Sequence, residues 1–251
     1  MKKLLIRAGI GIVAVAAVVL AASIYFIGSI VKKGIETVGP RVTQVEVKLD
    51  SADVWLVAGR AQLKGLTLGN PTGYKSPISI KVGDVSVRLK TRSVLSDKII
   101  IDSVEVKSPE ITIEGGLKKN NLAQIEKNMK EYGGSDEAST NKEVKPASAQ
   151  STAGRKFQVN EILISGARVH LASLFATGAS VTIPLPDIHL SNLGTDPAGI
   201  TAPAVAQKVL AALLSSIAKN AAEAIGNLEK SAVKELDPTK VNGKLQGLFS
   251  H

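Results

Sequence analysis

From Ala8 to Val31 the chain carries no charged residue, and beyond that run apolar and polar positions begin to alternate in short stretches. The uncharged run holds 24 positions. As an α-helix it would extend roughly 36 Å, enough to span a hydrocarbon core of about 30 Å. The apolar part of a cleaved signal peptide is shorter, about 7–15 residues, and ends at a small-x-small site. Ala21, Ala22 and Ser23 imitate such a site weakly, and Ile24 to Val31 continue apolar past it. The pattern therefore predicts a transmembrane helix over 8–31 behind a short tail, 1–7.

After the anchor, residues 32–41 read as a neck, a brief amphipathic continuation of the helix that Gly39-Pro40 should stop. The alternating runs follow: Val45 to Leu49, Val85 to Leu89, Val104 to Val106, Ile111 to Ile113, and then Ile162 to Ile164, Val169 to Leu171, Val181 to Ile183 and Ile188 to Leu190. Period two places Val85, Val87 and Leu89 on one face and Ser86, Arg88 and Lys90 on the other, as in half-buried antiparallel strands. Turn residues at Gly59, Gly65, Gly69-Asn70-Pro71, Gly73, Gly83-Asp84, Ser108-Pro109 and Gly115-Gly116 lie too close together for βαβ crossovers.

The second half imitates the first. Ile101 to Ile113 overlies Val159 to Leu171 at a constant offset of 58 with apolar positions matched, a repeated strand–turn–strand unit. Its Ser108-Pro109 and Gly166-Ala167 centres predict a kink that curls the sheet.

Two helices accompany the strands. Asn121-Leu122-Ala123-Gln124 resembles a capping box and opens a helix over 121–132. Pro203 opens a second, which Asp237-Pro238 closes, with Leu210, Leu213, Leu214, Ile217, Ala221, Ile225 and Leu228 as its apolar stripe. Between Gly133 and Arg155 the chain is polar and small-residued, a composition that predicts a disordered linker. The reading is thus α+β: an N-terminal transmembrane helix, then a curled antiparallel sheet of two strand units, 42–132 and 156–200, joined by the linker 133–155. An amphipathic helix, 201–236, and a tail, 237–251, complete it.

Composition narrows the function. Aromatic residues are 3% against an apolar fraction of 44%, so burial rests on Val, Ile, Leu and Ala. Cysteine is absent, which removes disulfides, zinc thiolates and thiol nucleophiles. The net charge is +9, but +5 of it falls within residues 1–41, around the anchor. That distribution, without interleaved aromatics, predicts no nucleic-acid partner. Basic residues flank both ends of the anchor; Lys2, Lys3 and Arg7 with no acid beside them predict a cytoplasmic N-terminus and a periplasmic domain.

Phosphate-binding loops, nucleophile elbows and metal-binding helix motifs are missing. His170, His189, Asp187, Glu105 and Glu110 fall on strand-like runs without a converging partner, and His251 is terminal. We therefore expect no enzyme, no metal and no cofactor.

One sequence of pieces carries a resemblance. Gly65 to Tyr74 (GLTLGNPTGY), Ser93-Val94-Leu95, Ile99-Ile100-Ile101, Pro109-Glu110-Ile111, Ile113-Glu114 and Asn120-Asn121-Leu122 resemble the N-terminal part of AsmA-like proteins, more loosely through Gly166-Ala167, Pro184 to Ile188 and Leu193-Gly194. The resemblance implies an inner-membrane envelope protein that assists lipid handling or outer-membrane maintenance. In large relatives an apolar groove is thought to carry phospholipid between membranes. This chain is shorter: some ten strands at about 4.8 Å each give a groove of about 50 Å.

The implied lipid-facing residues are Val85, Val87, Leu89, Val104, Val106, Ile111, Ile113, Ile162, Ile164, Val169, Leu171, Val181 and Ile183. Two readings of that face stand open, a core closed by the C-terminal helix and an exposed groove. The implied partners are the inner membrane, phospholipid, and other envelope proteins through the C-terminal helix. The Asn70-Pro71 turn is also similar to stress-protective β-sandwich scaffolds, which would give a closed sandwich instead.

Overall fold

The computed structural model describes residues 26–116, 119–138, 155–172 and 181–235. Residues 8–25 of the expected membrane helix, His251, most of the linker, residues 173–180 and the tail lie outside the described residues. Among those described, no helix is long and apolar enough to cross a membrane.

The first helix, α1, spans 26–43 and runs past Pro40. Proline removes a single intrahelical donor. The actual stop is Gln44, whose φ of 56° is left-handed and whose N–H still donates to Pro40 O at 2.9 Å. The sheet then builds from β1 (Val47–Lys48), β2 (Ser51–Trp55), β3 (Arg60–Gly69), β4 (Ile78–Leu89), β5 (Lys98–Lys107) and β6 (Glu110–Glu114). A 3-10 turn, Thr91–Leu95, joins β4 to β5. Helix α2 (Asn121–Ala138) leads to β7 (Lys156–Ser165), β8 (Arg168–Ala172), β9 (Val181–Pro184), β10 (Ile188–Leu193) and β11 (Ile200–Thr201), and α3 (Ala202–Glu235) follows.

All eleven strands belong to one curled sheet that does not close. It is neither the expected antiparallel sheet nor a sandwich. β5 pairs with β7, and β6 with β8, in parallel, while every other pair is antiparallel. Helix α2, six residues longer than its periodicity predicts, lies within the connection between these parallel strands, so a crossover is present after all.

The internal repeat is the register of that pairing. Ile101 lies beside Val159, Val104 beside Ile162, Ile111 beside Val169 and Ile113 beside Leu171, each 58 residues apart. Hydrogen bonds from Ser108 N to Ser165 O (2.8 Å) and from Arg168 N to Pro109 O (2.9 Å) carry the ladder through the kink.

The kink is a row across four strands. Gly65 and Gly83 fall between the pairs Lys64–Asp84 and Leu66–Val82. Ser108 and Gly166 occupy the same row on the next two strands. Gly65, Ser108 and Gly166 have φ of 64°, 46° and 63°. Left-handed backbone in one row breaks the two-residue alternation there. Val82 and Val85 are accordingly both buried, as are Ile164 and Ala167. Gly65 and Gly83 thus bend β3 and β4 rather than end them, whereas Gly59 does sit in a turn, between β2 and β3.

Since several strands are halves of one bent strand, eleven strands fill six positions across the sheet. The width is about 24 Å from first to last, half the span expected from ten separate strands.

The core lies on one face. α2 packs on β6 and α3, while α3 packs on β9, β10 and β11. Together they bury Ile111, Ile113, Val159, Ile162, Ile164, Val169 and Leu171 with Leu122, Ile125, Leu210, Leu213 and Ile217. At the opposite edge α1 lies along β1 and β2. A Cβ on Gly28 would sit 2.1 Å from Ala52 O, and one on Gly39 would sit 2.9 Å from Val47. Leu49 N donates to Glu36 Oε1 at 3.1 Å and Lys32 Nζ to Asp50 O at 3.0 Å. The helix thereby occupies backbone groups that an edge strand would otherwise offer to another chain.

Candidate functional site

Three short pieces of sequence, 44 and 51 residues apart, meet where β3, β6 and α2 converge. Asn70 follows β3, where a tight loop must return the chain to β4. Its Nδ2 donates across that loop to Ser76 O (2.8 Å) and onward to Glu114 Oε1 (3.1 Å). Glu114, the last residue of β6, accepts from Ser76 N at 2.5 Å and from Lys75 N at 2.7 Å. Asn121, fully buried in the first turn of α2, donates to Thr112 O (2.8 Å) and Asn70 Oδ1 (2.7 Å) and accepts from Glu114 N (3.0 Å).

Every polar group of this node is therefore satisfied. Burial raises the Glu114 pKa, but the hydrogen bonds from Ser76 and Lys75 and the nearby Lys75 charge outweigh it and hold the carboxyl below its ordinary value. The cap of α2 is Asn120, one residue before the expected box, whose Oδ1 accepts Ala123 N at 2.8 Å. Asn121 is thereby left for the node. Farther along α2, Asn128 donates to Thr43 O at 3.0 Å and ties the helix to the end of α1. A polar cleft of about 460 Å³ opens beside it, lined by Gln44, Thr72, Tyr74, Gln124 and Asn128 among others. In the sequence Asn70 reads as a turn residue, Asn121 as part of a capping box and Glu114 as the close of a strand series, and their convergence is not visible there.

The apolar face is the second feature. Val85 pairs with Val106, Val87 with Val104 and Leu89 with Ile101. Ile164 lies beside Val106 and Ile162 beside Val104. Ile183 pairs with Val169, and Val181 with Leu171. Ile111, Ile113, Ile162, Ile164, Val169 and Leu171 are at most 2% exposed and Val85 is 6% exposed, beneath the helices or between strands. Val87, Leu89, Val104, Val106 and Ile183 are half-buried, as are Ala61, Leu63 and Ile101 nearby. Neither of the two readings holds over the whole face. α2 and α3 close it over β6 to β8 and β10, and a half-buried apolar strip runs on across β3, β4 and β5.

The polar face is a trough of about 560 Å³ in which Trp55, Arg60, Arg88, Glu105, Lys107 and Glu161 take part. The histidines sit apart: His170 Nδ1 is 2.9 Å from Thr182 Oγ1, and His189 Nδ1 is 3.9 Å from Glu161 Oε1. Among the described residues no group of three His, Asp or Glu is placed to hold a metal ion.

The pieces joined in the node are those that carry the resemblance noted above. A search of curated proteins finds no match to this chain. The model of the AsmA family matches residues 51–180, just over half of the 251, which takes in β2 to β8, the kink row and all three residues of the node. On that match, the chain belongs to the AsmA family.

Proposed function

We propose that this chain is a non-catalytic envelope protein, held at the inner membrane by residues 8–31, that handles lipid by sheltering acyl chains against its half-buried apolar strip. The carrying observation is the uneven cover of one continuous apolar face. A face needed only as core would be covered throughout, as it is over β6 to β8, whereas Ala61, Leu63, Val87 and Leu89 stay half-buried outside the core cluster. Family membership supports an envelope setting. A sheet of about 24 Å is too narrow to bridge two membranes, so the protein acts beside its own membrane or passes lipid to a larger carrier docked on it.

Native mass spectrometry of the full chain released from detergent tests this reading. Wild type should retain phospholipid that V87D loses. Equal retention by the two proteins, or none by wild type, overturns the proposal.

A further inference from the structure

Large apolar side chains exposed to solvent are concentrated at one end of the molecule. Among the described residues they are Phe26, Ile30, Trp55, Val57, Ile78 and Leu95; Trp55, Val57 and Leu95 lie at the end formed by the β2–β3 turn and the 3-10 turn after β4, and Phe26 and Ile30 lie on α1 beside the start of β2. Val57 is 87% and Leu95 95% exposed. The two turns are joined, because Thr91 Oγ1 donates to Leu56 O at 2.9 Å and Leu89 N to Gly59 O at 2.9 Å.

The direction of α1 relates this end to the uncharged run. Descending α1 from Gly39 to Gly28, its neighbours on the sheet ascend from Val47 to Ala52. Eleven helical residues and five strand residues both cover about 16 Å, so helix and strand run side by side in opposite directions. Lys32, the first charge after the uncharged run, is hydrogen-bonded to Asp50 O. The β2–β3 turn therefore lies at the same end of the sheet as Phe26, where the described part of α1 begins.

Charge points the same way. Residues 56–60, 88–98 and 155–156 hold seven basic side chains, including Arg60, Arg88, Lys90 and Arg92, against Asp97 alone. Exposed apolar tips ringed by Arg and Lys beside an aromatic residue match an anionic bilayer surface.

We infer that the β2–β3 turn and the 3-10 turn form a second membrane contact, with Val57 and Leu95 entering an anionic phospholipid bilayer and Trp55 at its headgroup level. This rests on the reading that the uncharged run enters the same bilayer, and not on acyl-chain binding by the strip. The contact holds the sheet upright against the membrane instead of leaving it to swing on α1.

Trp55 is the sole tryptophan of the chain, so its fluorescence reports the contact directly. Full-length protein is reconstituted into vesicles containing phosphatidylglycerol with brominated acyl chains and recovered by flotation. Wild type should co-float, emit at shorter wavelength than in detergent-free urea, and lose at least half of its emission to the bromine. The V57D/L95D variant, altered at exposed positions only, should co-float and keep its emission. Co-flotation with unquenched Trp55, as for a tip that binds another protein, overturns the inference. So does quenching that V57D/L95D leaves unchanged. Failure to co-float overturns instead the membrane reading on which the inference rests.

Discussion

Replacing Glu114 by Gln removes the charge from the node while keeping its shape. The carboxylate accepts three hydrogen bonds, from Asn70, Lys75 and Ser76. Bonds to a charged acceptor contribute about 1.5–3 kcal/mol each. The glutamine oxygen can keep one or two of them, but its amide then faces backbone N–H donors. Lys75 is exposed and Ser76 half-buried, so water can replace part of what is lost. The balance is a destabilisation of about 2–4 kcal/mol. At about 2–4 °C per kcal/mol for a chain of this size, Tm falls by about 4–16 °C.

The pH dependence has a definite sign. A carboxyl held below its ordinary pKa binds fewer protons in the folded chain than in the unfolded one, so its stabilisation is complete above the unfolded value of about 4.3 and disappears as the pH falls through the lower folded value. Wild type and E114Q should therefore differ at neutral pH and converge in acid. Thermal unfolding followed by Trp55 fluorescence, at neutral pH and through the acid range, measures both. A Tm difference below 1 °C at neutral pH, or a gap that widens in acid, would refute the node's role.

Asn121 shares the node, so N121A should destabilise by about 1–3 kcal/mol, and combining it with E114Q should cost less than the sum of the two in a double-mutant cycle. Ile113 is 1% exposed beneath α2, so I113A should lower stability by about 2–5 kcal/mol and I113D should prevent folding, both read from urea transitions. V87D, on the half-buried strip, should still fold cooperatively. At Gly166 the left-handed φ of 63° and Ser108 Oγ, 3.1 Å from an added Cβ, together predict that G166A loses about 1–2 kcal/mol; an unchanged urea midpoint would show that the kink row tolerates a side chain.

How far the sequence reveals this molecule depends on the range of each signal. Alternation from Val85 onward marks one face of the strands, because side-chain direction is a local property of an extended chain. It cannot name the partner strand. The offset of 58 held that information, since Ile101 to Ile113 lies beside Val159 to Leu171, yet closely spaced turns argued against the crossover through α2 that parallel pairing needs. Gly65 and Gly83 read as turns because glycine permits both a turn and a left-handed bend within a strand; only the neighbouring ladder, with Ser108 and Gly166 in line, distinguishes them. The node was hidden for a related reason. Asn70, Glu114 and Asn121 each have an adequate local reading, and nothing local shows that three polar side chains so far apart satisfy one another.

Site-specific photocrosslinking in intact cells fed radiolabelled phosphate tests the claim that the apolar strip meets lipid. A photoreactive residue is placed at Val87 on the strip or at its neighbour Ser86, which pairs with Gln62 and Glu105 on the polar face. A labelled phospholipid adduct is expected from Val87 and none from Ser86. Absence of the adduct at Val87, or equal labelling at both positions, would contradict it.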